Sequence, residues 1–470
     1  MSTVTGNKWM APPALVPQTL QPFQFEANPM QKIAFGVTAF FIWLLYSRLQ
    51  DFVFYLHLPA INMALAILLM IVTGNIRNIS KFASSKWIAA LTLWMFAAVP
   101  FSIWHGGAID TVVNVWLKAV LVYCVVSSTL VTPRYGTRLL TIAAFGILCG
   151  AVIGTFAGGT KAQDRVGELN LRFADANEFA QVLLIGMCLM LGYSATPGRF
   201  GLSKIVAYGG VIFMLVSFFR TGSRGGFIGL ITVVVYVLIK ESVAVKAGML
   251  VLVAIVTICV VMFLPSSVKQ RYVNLFGGSE NPNDIASVAA AGSVEGRQYL
   301  LRQSLLITAR HPIFGVGAGL FAVAENSVAV QGGKARGAWH ETHNMYTQVS
   351  SENGIPACIF FIAAILAAFR SLNRVVSLGK DTKDPMILEA SRTAYWIRLA
   401  LLGVASSGLF LSIAYSNELQ VLIAFAMGLH YSVNSYLQYS QSQPAAIQSG
   451  PPARAEFAYK KPVRPSWTNA

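Results

Sequence analysis

Long apolar stretches recur along most of this 470-residue chain, and they constrain its fold more than any other feature. A helix needs roughly 20 apolar residues to cross a hydrocarbon core about 30 Å thick. By this measure the sequence predicts about twelve spans, although the first two could instead form one re-entrant hairpin. The spans are residues 33–49, 52–73, 87–104, 112–131, 138–157, 178–195, 204–219, 225–240, 246–264, 355–370, 393–413 and 418–438. The expected fold class is an all-α polytopic membrane protein with one long outer loop.

Charged residues make up only 11% of the chain, against about 25% in soluble domains. This scarcity disfavours a soluble enzyme, a disordered protein and a secreted disulfide scaffold. The net charge of +16 is better explained by membrane topology than by nucleic-acid binding, because short cytoplasmic loops collect Lys and Arg. The distribution of these residues predicts that both termini lie in the cytoplasm.

The expected organisation has five parts. They are a cytoplasmic N-terminal segment at 1–32, nine transmembrane helices at 33–264, an outer loop at 265–354, three transmembrane helices at 355–438, and a disordered cytoplasmic tail at 439–470. This topology places three polar connections on the outer face: residues 158–177, the turn at 220–224, and the long loop.

The turn at 219–226 reads Phe-Arg-Thr-Gly-Ser-Arg-Gly-Gly. Arg220 and Arg224 are four residues apart, so a continuing helix would place both on one face. Guanidinium groups suit phosphate oxygens, and glycines let backbone amides approach a ligand. Short outer loops seldom contain arginine, so two of them in this turn call for a function other than setting the topology. The turn therefore predicts a pyrophosphate clamp. The alternative is that both arginines only extend to the membrane interface.

Two other places carry polar side chains at or within spans. Asp175 and Asn177 stand where a span begins, which makes them N-cap candidates, whereas the nearby Arg172 does not fit a capping role. Lys118 lies inside the fourth span, where an ammonium group normally pairs or lines a polar cavity. It could bind phosphate or extend toward the interface, and the sequence leaves both open.

The long loop contains the most informative pattern. After a flexible run at 265–292, a helix is expected from Glu295, with apolar residues 300, 301, 305 and 306 forming its stripe. A glycine-rich turn at 311–319 ends that helix.

Two of the six histidines, His340 and His343, lie three residues apart in this loop, with Glu341 between them. The spacing resembles but does not match the His-x-x-x-His of zinc hydrolases, and no Asp-x-Asp motif stands nearby to hold a divalent cation. A general base is the better-supported interpretation, because imidazole titrates near neutrality and can accept a proton from an attacking hydroxyl.

Four motifs in this order resemble the bacterial family of O-antigen ligases and O-antigen polymerases. They are Arg-Thr-Gly-Ser-Arg-Gly-Gly at 220–226, Gly-Arg-Gln at 296–298, Pro-Ile-Phe-Gly-Val-Gly at 312–317, and His-Asn-Met-Tyr at 343–346 followed by Glu-Asn-Gly-Ile-Pro at 352–356. The similarity covers about residues 160–370. It implies a GT-C-like glycosyltransferase of the inner membrane that uses neither metal nor cofactor. Such enzymes move a glycan from an undecaprenyl diphosphate carrier to an acceptor at the periplasmic face.

The resemblance also implies roles for individual residues. His343 would lie near the acceptor hydroxyl, while Arg220, Arg224 and Arg297 would contact the diphosphate leaving group. We therefore expect His343, Arg224 and Arg220 to be catalytic. The expected substrate-binding residues are Arg297, Arg172, Lys118, His340, Glu352 and Asn344. The expected partners are the carrier-linked glycan donor, a glycan or lipid A core acceptor, and membrane lipid, with no nucleic acid.

Several alternatives stay open at this stage. The acceptor could be lipid A core, as in a ligase, a growing carrier-linked glycan, as in a polymerase, or a protein. From a different class, about twelve spans could belong to a secondary transporter. Transporters, however, often show inverted repeats and place ionisable residues near the membrane midplane, whereas the polar residues here gather at the outer face.

Overall fold

The structure, a computed structural model, describes residues 27–156, 175–196, 201–243, 285–331 and 340–442, together with 160–161, 165–166, 198 and scattered helical positions between 246 and 262. Its main helices are α1 Pro29–Ser47, α2 Leu58–Val72, α3 Ser85–Ala98, α4 His105–Thr111, α5 Leu117–Thr129, α6 Pro133–Phe156, α7 Ala176–Ser194, α8 Leu202–Arg220, α9 Arg224–Lys240, α10 Ile285–Arg310, α11 Phe321–Gln331, α12 Met345–Leu378, α13 Pro385–Ser407 and α14 Asn417–Gln441. Two antiparallel two-residue strands, β1 Thr160–Lys161 and β2 Arg165–Val166, and several short 3₁₀ or π segments are also described.

The described helices make this chain a multi-pass membrane protein. Seven of them are long and apolar enough to span a membrane, or up to nine if each of two bent pairs counts as one span. Many of their large apolar side chains are exposed, among them Ile61, Leu93, Leu202 and Ile205, as lipid-facing residues would be. The all-helical fold class is confirmed in this coarser form, whereas the number twelve stays a prediction.

The predicted span 52–73 is bent rather than straight, and a second bend lies just before the predicted span 87–104. The 3₁₀ segment Leu49–Leu56 and α2 meet at an angle of 84°, and the 3₁₀ segment Asn75–Lys81 meets the helix over Ser85–Phe101 at 88°. Arg48 and His57, which flank the first of these 3₁₀ segments, both have positive φ, which a continuous helix does not allow.

The helix of the long loop differs from expectation in its start and in its buried face. Helix α10 begins at Ile285 rather than near Glu295, because the Ala-rich stretch at 285–291 continues the helix. Between residues 295 and 310, where side-chain burial is described, the buried side chains are Leu300, Ser304 and Ile307. The predicted stripe was therefore wrong for residues 301, 305 and 306, which are exposed.

Helix α7 lies at the centre of the bundle and is buried along almost its whole length. It packs against α6, α8, α9 and α13. Small residues permit this close packing: Gly186 faces Ile147 and Met214, on α6 and α8. The start of α7, with Asp175, is thereby held in fixed relation to four neighbouring helices.

Two sequence motifs interlock through their backbones, in a contact that we call the glycine clasp (residues 312–319 with residues 351–355). Val316 N–H donates to the carbonyl of Ser351 at 3.0 Å, Gly317 N–H to that of Glu352 at 2.8 Å, and Ile355 N–H to that of Pro312 at 2.8 Å. The clasp seats the turn after α10 against α12. Gly354, with φ +84° and ψ 174°, breaks the α12 helix at this contact.

Candidate functional site

His343 lies immediately before α12 in a left-handed backbone conformation, with φ +50°. Residues other than glycine seldom adopt this conformation, and such strain concentrates at functional sites. The backbone N–H of His343 donates to Oγ of Ser412 at 2.8 Å. The next residue, Asn344, caps α12 by accepting hydrogen bonds from the N–H groups of Tyr346 and Thr347. The cap and the serine together hold the histidine in place.

Charged groups from three parts of the chain act on the His343 ring. Burial lowers the pKa of His343 most, the positive charge of Arg297 on α10 lowers it further, Asp175 at the start of α7 raises it, and the electrostatic interaction with His340 lowers it. The net pKa is below the ordinary histidine value. At neutral pH the imidazole is therefore largely uncharged and can accept a proton.

Ser412, in the loop between α13 and α14, contacts three consecutive residues of the histidine segment. Besides the His343 N–H, its hydroxyl lies 3.1 Å from Oγ1 of Thr342 and hydrogen-bonds to the Glu341 carboxylate. Burial raises the pKa of Glu341, the Ser412 hydrogen bond lowers it, and the charge of Asp175 raises it. Sequence reasoning missed Ser412, whose only local signal is a polar residue in a short loop between spans.

The two arginines of the predicted clamp belong to different helices. Arg220 is the last residue of α8 and Arg224 the first of α9, with Gly222 at φ +62° between them. The expectation that both lie on one face of a continuing helix was therefore wrong. Ser223 caps α9 by accepting from Gly226 N–H at 3.2 Å.

Arg224 is buried, and its helix start packs closely against two elements near the histidine. Gly225 faces the side chain of Phe410, two residues before Ser412, and Gly226 faces Ala180 of α7. The structure thus brings the start of α9 next to the loop that contacts His343. Arg220 is half-buried at the end of α8, and it is not among the described groups whose charge acts on His343.

Glu352 is buried at the glycine clasp, where its carboxylate Oε2 accepts hydrogen bonds from Gly319 N–H at 2.8 Å and from the Tyr415 hydroxyl at 2.7 Å. The neighbouring Asn353 donates to the same tyrosine oxygen at 2.7 Å. Both polar side chains are engaged within the protein, so the geometry favours a positioning role for Glu352 over direct contact with a substrate.

The remaining predicted site residues have diverse surroundings. Lys118 lines a cavity of about 810 Å³ together with Glu178 and Glu341, which agrees with a lysine that faces a polar cavity. Asp175 is the N-cap of α7 and accepts from Asn177 N–H at 2.9 Å, as the capping interpretation predicted. Arg172 lies outside the described residues. Among those described, no three His, Cys, Asp or Glu side chains are grouped as a metal site would require.

Comparison with known proteins bears on this same region. The family model described as O-Antigen ligase matches residues 209–362. The matched segment runs from α8 into α12 and contains the arginine turn, Arg297, both histidines and the glycine clasp. No curated protein matches the chain.

Proposed function

We propose that the chain transfers a glycan from undecaprenyl diphosphate to an acceptor hydroxyl. The proposal is supported by the match of residues 209–362 to the O-Antigen ligase family model, in a chain whose described helices include several long and apolar enough to span a membrane. The reaction takes place at the periplasmic face of the bacterial inner membrane, in the biosynthesis of cell-surface polysaccharide. The observation that carries the proposal is the family match, which covers the arginine turn, Arg297 and His343.

The reaction begins with the acceptor. A hydroxyl of the acceptor sugar gives its proton to the uncharged His343 imidazole as its oxygen attacks the anomeric carbon of the donor. The new glycosidic C–O bond forms while the C–O bond between the anomeric carbon and the diphosphate breaks. The electron pair of the broken bond stays on the diphosphate, and His343 returns the proton to solvent or to the leaving group.

The arginines act on the departing diphosphate. Negative charge develops on this group during bond cleavage, and fixed guanidinium groups stabilise that charge more in the transition state than in the ground state. Arg297, whose charge reaches His343, and Arg224, next to the Ser412 loop, are the main candidates, with Arg220 and Arg172 as further contacts. The proposed reaction requires neither a metal ion nor a cofactor.

The direct test is transfer by purified protein in proteoliposomes that contain an undecaprenyl-diphosphate-linked glycan. Transfer to added lipid A core supports a ligase, which is the activity we propose. Elongation of the carrier-linked glycan instead would indicate a polymerase. If the protein catalyses no transfer and only moves solute across the bilayer, the proposal is wrong and the transporter alternative holds.

The phenotype of a deletion strain separates the first two outcomes independently. Loss of a ligase should leave rough lipopolysaccharide together with free carrier-linked polymer. Loss of a polymerase should instead leave lipopolysaccharide that carries a single repeat.

A further inference from the structure

One side of helix α10 exposes two leucines that the proposed reaction does not use. Leu301 and Leu305 are both exposed, Leu305 by 53%. Residues four apart are neighbours on one side of a helix, so the two side chains form a continuous apolar stripe, which we call the α10 stripe. Single apolar residues are normal on a protein surface, but a stripe that adjoins further exposed apolar side chains marks a contact with an apolar partner.

The neighbouring row of α10 is different in character. Arg302, Leu306 and Arg310 follow one another at intervals of four residues, and all three are exposed. Arg310 lies about 140° around the helix from Leu305, at 3.6 residues per turn. The exposed face of α10 therefore has an apolar side and a side that carries two arginines, which is the pattern of helices that lie in a membrane interface.

The buried face of α10 indicates its depth relative to the membrane. Leu300 and Ile307 belong to one buried apolar cluster with Ala108 of α4. Helix α4 forms the beginning of the candidate membrane span His105–Thr129. The residue after Ala108, Ile109, is exposed, as a side chain that faces lipid would be. Helix α10 therefore packs against the end of a membrane span and does not stand clear of the membrane.

Further exposed apolar side chains lie around the same end of this span. Trp104, immediately before α4, is 58% exposed, and Phe101 and Ile313 are exposed as well. The ring of Phe101 stacks on that of Phe314, four residues after α10, with the ring centroids 4.2 Å apart. Tryptophan is enriched where membrane spans meet the lipid headgroups, so these residues mark the membrane interface beside α10.

We propose that the α10 stripe inserts into the phospholipid leaflet on the loop side of the membrane. Phe101, Trp104 and Ile313 continue this lipid contact from the end of the span to the turn after α10. Helix α10 is then an interfacial helix rather than part of a loop surrounded by water. The insertion itself does not depend on the reaction proposed above.

Lipid contact at the stripe also sets the position of Arg297. This residue lies four positions before Leu301 and therefore on the same side of α10. Insertion of Leu301 and Leu305 fixes its height relative to the bilayer. A lipid-linked diphosphate presents its phosphates at the membrane surface, so the stripe would align Arg297 with the donor of the proposed reaction.

The test is photo-crosslinking of the full-length protein in vesicles of radiolabelled phosphatidylglycerol and phosphatidylcholine. The photoreactive residue p-benzoylphenylalanine replaces Leu305 in one variant and Arg310 in the matched control. Both side chains are exposed on the same helix, so neither replacement disturbs a packed core. Thermal unfolding of the purified variants checks that both fold as the unmodified protein does.

We expect at least about tenfold more lipid adduct at position 305 than at position 310, because burial of a leucine-sized apolar group favours the membrane by this factor or more. Replacement of Leu301 should give the same result as replacement of Leu305. It provides the comparison if the variant at position 305 does not fold.

Two results would overturn the inference. If lipid adducts are equally scarce at positions 301, 305 and 310, the stripe faces water. If the photoreactive residue at position 305 instead joins α10 to another segment of the same chain or to a second copy, protein covers the stripe. Absence of glycan transfer by the unmodified protein would contradict only the proposed function, since the crosslinks are measured without donor or acceptor.

Discussion

The backbone N–H of His343 donates to the side-chain oxygen of Ser412 at 2.8 Å, across 69 positions of sequence. This bond joins the segment before α12 to the loop between α13 and α14, and it helps to hold His343 at φ +50°. The left-handed backbone of His343 therefore depends on a residue far away in sequence.

The imidazole of His343 should be needed for transfer but not for folding. Asparagine tolerates the left-handed conformation better than most residues, so His343→Asn should fold normally and lose about 10²–10⁴-fold in kcat, as expected for removal of a general base. His343→Ala should lose similar activity and also some stability. Initial rates in proteoliposomes and thermal unfolding in detergent provide the two measurements, and full activity in His343→Asn would exclude the proposed base.

Ser412 should act as a positioning residue through its hydroxyl. Ser412→Ala removes the acceptor for the His343 N–H and the hydrogen bond to the Glu341 carboxylate, at a cost of about 0.5–1.5 kcal/mol for a typical hydrogen bond. We expect kcat to fall about tenfold if most of that cost is felt in the transition state.

The conservative variant Ser412→Thr retains the hydroxyl and should recover most of the activity lost in Ser412→Ala. If both variants are equally impaired, packing rather than the hydrogen bond is the function of this residue.

The pH dependence of kcat/KM should respond in opposite directions to two charge-removing variants. Activity falls as the pH falls through the pKa of His343, because the protonated ring cannot accept a proton. Arg297→Gln removes a charge that lowers this pKa, so its acidic limb should move to higher pH. Asp175→Asn removes a charge that raises the pKa of His343 but keeps a residue suited to the N-cap. The acidic limb of its pH profile should therefore move to lower pH.

Arg302→Gln is the control for this pair, since Arg302 lies exposed on α10 and is not among the described groups that act on His343. The acidic limb of the pH profile of Arg302→Gln should coincide with that of the unmodified protein. Shifts of Arg297→Gln and Asp175→Asn in the same direction would show that neither charge tunes the histidine as argued.

The glycine clasp should tolerate no side chain at Gly354. A Cβ there would collide with the backbone of Ile313 and Phe314, and φ is +84°. Gly354→Ala should therefore lower the free energy of unfolding by at least about 3 kcal/mol, from backbone strain and overpacking together. Thermal unfolding of the purified protein measures this loss.

Gly296→Ala is the matched control, because a Cβ at Gly296 meets nothing within 4 Å and the residue lies inside α10. There the same substitution should stabilise by about 0.8–1.0 kcal/mol through helix propensity. Equal effects of the two substitutions would contradict the close backbone contact at Gly354 as the cause of the loss.

Several features of the fold and the site follow from sequence because they depend on local pattern. The apolar stretches predict helices that span a membrane, and Asp175 before such a stretch predicts its N-cap, which is confirmed. The ordered motifs predicted a resemblance to the O-antigen ligases, and the family model matches residues 209–362. Helix formation, capping and motif identity each depend on residues within one or two turns of chain.

Other features required the tertiary structure. The turn at Gly222 places Arg220 and Arg224 on separate helices although their spacing fits one helical face. The burial of Glu352 against Gly319 and Tyr415 depends on segments 33 and 63 positions away.

By itself, the sequence predicted a helical membrane protein that resembles the O-antigen ligases, in agreement with the family match at residues 209–362, and it identified His343 and the arginines as residues to consider. Only the tertiary structure decided how these residues are arranged: Ser412 at the His343 backbone, Arg297 and Asp175 acting on one ring, and the cavity beside them that Lys118 and Glu341 line. The physical reason is that hydropathy and helix formation are short-range properties of the chain. A hydrogen bond or a charge interaction at the site instead depends on how distant helices pack, and no local pattern encodes that packing.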